Sequence, residues 1–253
     1  MLPCRSDGRP REPVRVDSPV KFNKQDHAAV LLSDEARRVS HAAADVRMEP
    51  GAAESAYPFP VGGMEERPER PALLLHSCCG PCSTAVVERL SRRFRLTLYF
   101  CNSNIMGEEE YRRRLEAQRA FVEAYNASAD CAAPLSLVTA PYAPEAFLET
   151  VRGLEAEPEG GARCRVCIAD RLEHTAVYAS LYGFDAFSTT LSVSPHKDFG
   201  AIARIGRELA LRYGIAFLAE DFKKRDGFRR SVVLSEAYGL YRQSYCGCRF
   251  SVR

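Results

Sequence analysis

From residue 71 onward, short apolar runs alternate with segments whose apolar positions recur at helical spacing. Pro71–His76, Arg95–Phe100, Leu135–Thr139, Ala186–Leu191 and Ile215–Leu218 read as five strands, each only a few residues long. Between them, Tyr111, Leu115, Val122 and Tyr125 mark a helix over Glu108 to Tyr125. Further helices are predicted from about Ser83 to Phe94, Pro144 to Val151, Cys167 to Tyr182, Lys197 to Tyr213 and about Arg229 to Tyr238. Pro144 stands near a helix start, where a missing N–H costs nothing, and Gly183 and Gly214 mark helix ends. Strands that alternate with helices predict a three-layer α/β domain with a mostly parallel sheet. Ligands of such sheets bind beyond the carboxyl ends of the strands.

Residues 1–70 carry no such period. They hold 8 of the 15 prolines, 11 basic and 12 acidic residues. A segment of this kind buries too little apolar surface to offset its ordering entropy, so a disordered or low-order extension is expected there, with the domain proper over 71–253. Met64 is a candidate true start.

Composition adds two constraints. The net charge of +2 divides into 24 basic against 21 acidic residues after position 70, or +3, and −1 before it. That excludes a strongly basic coat, so any nucleic-acid contact must rest on a local patch. No stretch approaches the ~18 apolar residues of a membrane span. The longest apolar run near the start, Ala28 to Leu32, is too short for a secretory signal. A cytoplasmic protein with no membrane partner is the expectation. The 10 cysteines then point to metal or redox chemistry, because clustered thiols in a reducing compartment seldom form structural bridges.

Seven of them fall in three clusters. His76-Ser77-Cys78-Cys79-Gly80-Pro81-Cys82 follows the first strand. Adjacent Cα atoms lie about 3.8 Å apart, too close for an ordinary disulfide. Cys78 and Cys79 therefore suit one metal region, with Cys82 a helical turn further on. Cys164-x-x-Cys167 opens a helix after a glycine-containing loop, where free N–H groups favour thiolate over thiol. Alone it fits zinc, a redox pair or an iron–sulfur cluster. With the first cluster it supplies four or five thiolates, enough for a cysteine-ligated iron–sulfur cluster. In Cys246-Gly247-Cys248 a disulfide would close a tight, readily reduced ring, with glycine supplying the unusual φ.

These strings, together with Ser188-Thr189-Thr190-Leu191-x-x-Ser194-Pro195-x-Lys197 and Tyr238-Gly239-Leu240-Tyr241-Arg242-Gln243-x-Tyr245, make the chain from Leu73 onward resemble the cobalamin-independent epoxyqueuosine reductases of the QueH type. The resemblance implies reduction of the epoxide of epoxyqueuosine at the tRNA wobble base to queuosine, the last step of its biosynthesis. It implies a 4Fe-4S cluster on Cys78, Cys79, Cys164 and Cys167, a redox-active disulfide pair of Cys246 and Cys248, and an additional iron partly held by Cys82, where other members carry aspartate. The implied partners are tRNA carrying epoxyqueuosine and an electron donor that the sequence does not identify. The implied fold resembles the adenine-nucleotide alpha hydrolase (HUP-like) group. Thiols replace the phosphate-cradling glycines of that group after strand one, which argues against ATP use.

Ser188, Thr189 and Lys197 at the end of the fourth strand are candidates for substrate sugar or phosphate, and Lys223 and Arg225 for tRNA phosphate. Tyr241, Tyr245 and Phe222 are candidates to stack on an extruded base. Arg112, Arg113 and Arg114 with Glu108 to Glu110 read as a solvated helix face. The competing reading is a zinc-stabilised RNA- or protein-binding module without redox activity.

Overall fold

In the computed structural model the described residues are 70–251. The extension assigned to residues 1–70 and the start at Met64 therefore lie essentially outside the described residues. Five strands form one sheet: β1 (Ala72–His76), β2 (Arg95–Phe100), β3 (Ser136–Thr139), β4 (Ala186–Thr189) and β5 (Ala216–Phe217). Their spatial order is β3-β2-β1-β4-β5, and every neighbouring pair is parallel. The intervening helices are α1 (Gly80–Leu90), α2 (Glu108–Ala127), α3 (Pro144–Thr150), α4 (Ala162–Leu181), α5 (Phe199–Tyr213) and α6 (Gly227–Ala237).

Strand alternation divides the core into two. Leu73 and Leu75 of β1, with Leu96 and Leu98 of β2, pack on Val86, Val87 and Leu90 of α1 and Phe121, Val122 and Tyr125 of α2. Leu74, Tyr99 and Phe187 face the other way, onto Ile168, Leu172 and Ala176 of α4 and Ile202, Ile205 and Leu209 of α5. Buried on both faces, the strands read as near-continuous apolar runs, as a parallel sheet requires. The three-layer α/β expectation holds, and the sheet is parallel throughout. Among the described residues no helix is long and apolar enough to cross a membrane.

Element boundaries move where local chemistry decides. The first helix begins at Gly80, earlier than the pattern implied, with Pro81 in its first turn. α4 begins at Ala162, so both cysteines of the second cluster lie inside its opening turns. The fourth strand stops at Thr189, whose hydroxyl accepts the Leu191 N–H and starts a 3-10 turn over Thr190–Val193.

The strand order reverses direction between β1 and β4, so their carboxyl ends flank the position where a parallel sheet opens a crevice. Cys78 follows β1 and Thr190 follows β4 at that point.

Candidate active site

Gly80 allows α1 to begin where it does. A Cβ there would lie 2.7 Å from the Ala117 carbonyl oxygen of α2, closer than real contacts permit. With glycine, the α1 N-terminus seats against α2 and the three nearby thiols converge. The sulfurs of Cys78, Cys79 and Cys82 all lie within 4.8 Å of one another. Those of Cys78 and Cys79 are 3.8 Å apart. The Thr190 hydroxyl donates to the Cys78 sulfur at 3.4 Å and accepts the Cys78 N–H at 3.2 Å, tying the β4 end to the β1 end.

The three thiols of this trio affect one another's proton affinity in opposite directions. Hydrogen bonds from Cys79 and Cys82 hold the Cys78 thiol well below its usual range, against the opposing effect of burial. As donors to it, Cys79 is pushed up to about 12 and Cys82 well above the ordinary thiol value. Beneath them, the Ser83 hydroxyl lies 3.0 Å from both the Cys79 carbonyl oxygen and Gln118 Oε1, and the Ser77 hydroxyl donates to Gln118 Oε1.

His76 is a packed residue of β1, fully buried. Its Nε2–H donates to the Cys101 carbonyl at 3.2 Å, and Nδ1 accepts from the Thr189 hydroxyl at 2.9 Å. Burial, with Arg171 nearby, pushes its pKa down to about 3, so the ring is neutral. Cys101 lies in the core, and its sulfur is 3.3 Å from His174 Nδ1.

The second and third cysteine clusters meet in one narrow cavity. Its walls include Cys164, Cys167, Cys246 and Cys248, with Arg171 and Lys197. The Gly160 N–H donates to the Cys164 sulfur at 3.2 Å. Burial pushes Cys167 up to about 12 and raises Cys248 as well. Lys197 Nζ donates to the Cys246 sulfur at 3.4 Å and stands 3.9 Å from Glu159 Oε1. Burial alone would lower the Lys197 pKa; Cys246, with Cys164 and Cys167, raises it instead. None of the nine described cysteines forms a disulfide.

What brings the third cluster here is Arg114, which the sequence reading placed on a solvated face. The structure corrects that: Arg114 is 2% exposed and pairs with Glu110 at 2.7 Å. Its Nη1 and Nη2 donate to the carbonyls of Cys246 at 3.0 Å and Tyr245 at 3.3 Å. Tyr241 completes the clasp by donating to Glu110 at 2.9 Å. Arg112, paired with Glu116, does lie on the solvent face. A positional signal was available, because Tyr111, Leu115, Gln118, Val122 and Tyr125 are the buried face of α2 and residue 114 lies on it. Charge masked it. Gly247 between the two cysteines has φ of +106°, and a Cβ there would meet Arg114 Nη1 at 2.9 Å.

The remaining candidates divide. Ser188 donates to the Leu218 carbonyl at 2.9 Å, and Ser188 and Thr189 are both buried, so their hydroxyls serve the fold. Lys223 Nζ donates to the Lys197 carbonyl at 3.1 Å and pairs with Asp221 at 3.4 Å. Arg225 is exposed, with φ of 57°. Phe222 is 1% exposed within the core and is thereby removed as a stacking platform, whereas Tyr241 and Tyr245 are partly exposed.

Sulfur donors alone, held by short elements of a parallel sheet, suit a soft metal. Comparison with known proteins narrows the chemistry. The family model described as epoxyqueuosine reductase QueH matches residues 73–253. A Streptococcus pyogenes protein named epoxyqueuosine reductase QueH is 43% identical over 189 residues, covering 75% of this chain and 73% of its own. Proteins of the same name from Staphylococcus aureus and Thermotoga maritima are 39% and 33% identical, over 76% and 71% of this chain and 80% and 90% of theirs. The chain belongs to the epoxyqueuosine reductase QueH family.

Proposed function

We propose that this chain reduces epoxyqueuosine at the wobble position of tRNA to queuosine. In this reading a 4Fe-4S cluster is held by Cys78, Cys79, Cys164 and Cys167, and Cys246 with Cys248 is a dithiol that cycles through a disulfide. The observation that carries it is the convergence of Cys164, Cys167, Cys246 and Cys248 on one cavity at the carboxyl edge of the sheet. The close sulfur trio fits a thiophilic metal, and Cys82 within it is the candidate ligand of an additional iron. When bound, such a group supplies one-electron transfer and an iron able to polarise the epoxide C–O bond.

The chain's own residues do the rest. Opening the epoxide to an alkene and releasing its oxygen as water takes two electrons and two protons. Oxidation of the two thiols of Cys246 and Cys248 to a disulfide releases that number of each, and an external reductant must then restore the dithiol. Lys197 places a positive charge at the Cys246 sulfur. Burial of Cys79 and Cys167 keeps bulk water from the sulfur set. Lys223 and Arg225 are candidates for tRNA phosphate, and Tyr241 and Tyr245 for stacking on the extruded base.

Anaerobic purification with iron, sulfide and zinc analysis separates this reading from the zinc-stabilised module. Brown protein with iron and acid-labile sulfide is expected; colourless protein with tightly held zinc overturns the cofactor assignment. A strain lacking the gene, and lacking any second reductase, is expected to accumulate epoxyqueuosine in its tRNA. Normal queuosine in that strain refutes the activity.

A further inference from the structure

Arg171 is a buried cation that none of the resolved ion pairs claims. It is 3% exposed, lies one turn after Cys167 on α4, and donates Nε to the Cys167 carbonyl at 3.1 Å. Its side chain forms part of the wall of the cavity that Cys164, Cys167, Cys246 and Cys248 line. The nearby carboxylates are committed elsewhere. Asp170 faces His174 at 3.8 Å, Glu173 holds Arg212 at 3.2 Å and Tyr213 at 2.6 Å, and Glu159 faces Lys197 at 3.9 Å. Among the described residues, no carboxylate comes within ion-pair distance of the Arg171 guanidinium.

A buried charge without a counterion costs several kcal/mol, so the fold must supply negative charge to it by other means. Sulfur is what surrounds the position. Four of the seven clustered cysteines, Cys164, Cys167, Cys246 and Cys248, line the same cavity as the Arg171 side chain. Lys197, the other cation of the cavity wall, already has both a sulfur and a carboxylate partner.

We propose that Arg171 is the fixed counter-charge of the whole sulfur site, a positioning residue that offsets the negative charge of its thiolate-bound metal group and raises that group's reduction potential. This rests on the iron–sulfur reading above. The sign follows from charge: gaining an electron makes the group more negative, and a neighbouring guanidinium stabilises that state.

The test is a redox titration of anaerobically purified full-length protein, followed by absorbance and electron paramagnetic resonance, beside its Arg171→Gln and Arg171→Lys variants. Iron and sulfide are measured on each sample. Expected are wild-type iron and sulfide in both variants, and a more negative midpoint for Arg171→Gln. The equilibrium should shift about tenfold toward the oxidised form, or ~59 mV for one electron. Arg171→Lys, which keeps the charge, should stay near wild type. An Arg171→Gln midpoint equal to wild type, with iron and sulfide intact, overturns the proposal. If Arg171→Gln loses its metal, Arg171→Lys decides: full metal with an unshifted midpoint supports a charge role, and loss of metal there too refutes it. Wild-type protein without iron and sulfide brings down the cofactor reading itself, and a normal metal content with an unmoved potential brings down only Arg171.

Discussion

The first and third cysteine clusters are built in opposite ways. Cys78, Cys79 and Cys82 stand where a central strand turns into a helix, with β2 and β4 on either side of β1 and α2 against the helix N-terminus. Cys246 and Cys248 stand on a segment after α6 with no regular structure until the short turn at Arg249–Ser251. Backbone ladders fix the first. Two carbonyl bonds from Arg114, the Met106 N–H to the Gly247 carbonyl and the Tyr241–Glu110 contact hold the second. The difference suits the two jobs assigned to them. A metal-holding set gains from ligands that do not move, whereas a pair that opens and closes a disulfide must change shape in each cycle. Regions held by few side-chain bonds open at lower free energy than core strands.

The contrast breaks most severely at the third cluster. Cys246→Ser is expected to reduce multiple turnover of epoxyqueuosine-containing tRNA to background, with either a chemical or a protein reductant; turnover at the wild-type rate would remove the redox-cycling role. Next in size is the clasp. Arg114→Ala leaves the Glu110 carboxylate and two carbonyls without their partner in a buried setting, which is expected to cost about 3–5 kcal/mol in denaturant unfolding. A loss below about 1 kcal/mol, the worth of an exposed pair, would return Arg114 to the solvated face. Gly247→Ala forces a side chain into positive φ and against Arg114, for an expected cost of about 1–3 kcal/mol and a matching fall in activity. An unaltered unfolding midpoint would show that this turn relaxes without penalty.

Smallest is a pH effect at the rigid end. Burial would lower the His174 pKa, yet Cys101 and Asp170 raise it from 6.5 to about 10. A raised pKa means that the folded state binds the proton more tightly. The stability it contributes is fully present below pH 6.5 and is lost as pH rises toward 10. His174→Gln should therefore flatten the decline of unfolding free energy across that window. A decline as steep as wild type would refute the pairing.

Sequence spacing made the five strands and the helical faces legible because burial on a parallel sheet imposes long apolar runs and helical periods. It revealed the three cysteine clusters for a similar reason: vicinal thiols and Cys-x-x-Cys are local. What it did not reveal is tertiary. Nothing near residue 164 announces that Cys246 will share its cavity, because that closure spans most of the domain and is made by Arg114. Phe222 carried the composition of a stacking residue and the surroundings of a core one, and only packing separates the two.

The division of labour between the clusters is tested most directly by iron and sulfide content. Anaerobically purified Cys246→Ser should retain wild-type iron and sulfide, while Cys79→Ser should lose most of both. Loss of iron and sulfide from Cys246→Ser, or their full retention in Cys79→Ser, would contradict the assignment of metal holding to the rigid strand end and redox cycling to the clasped segment.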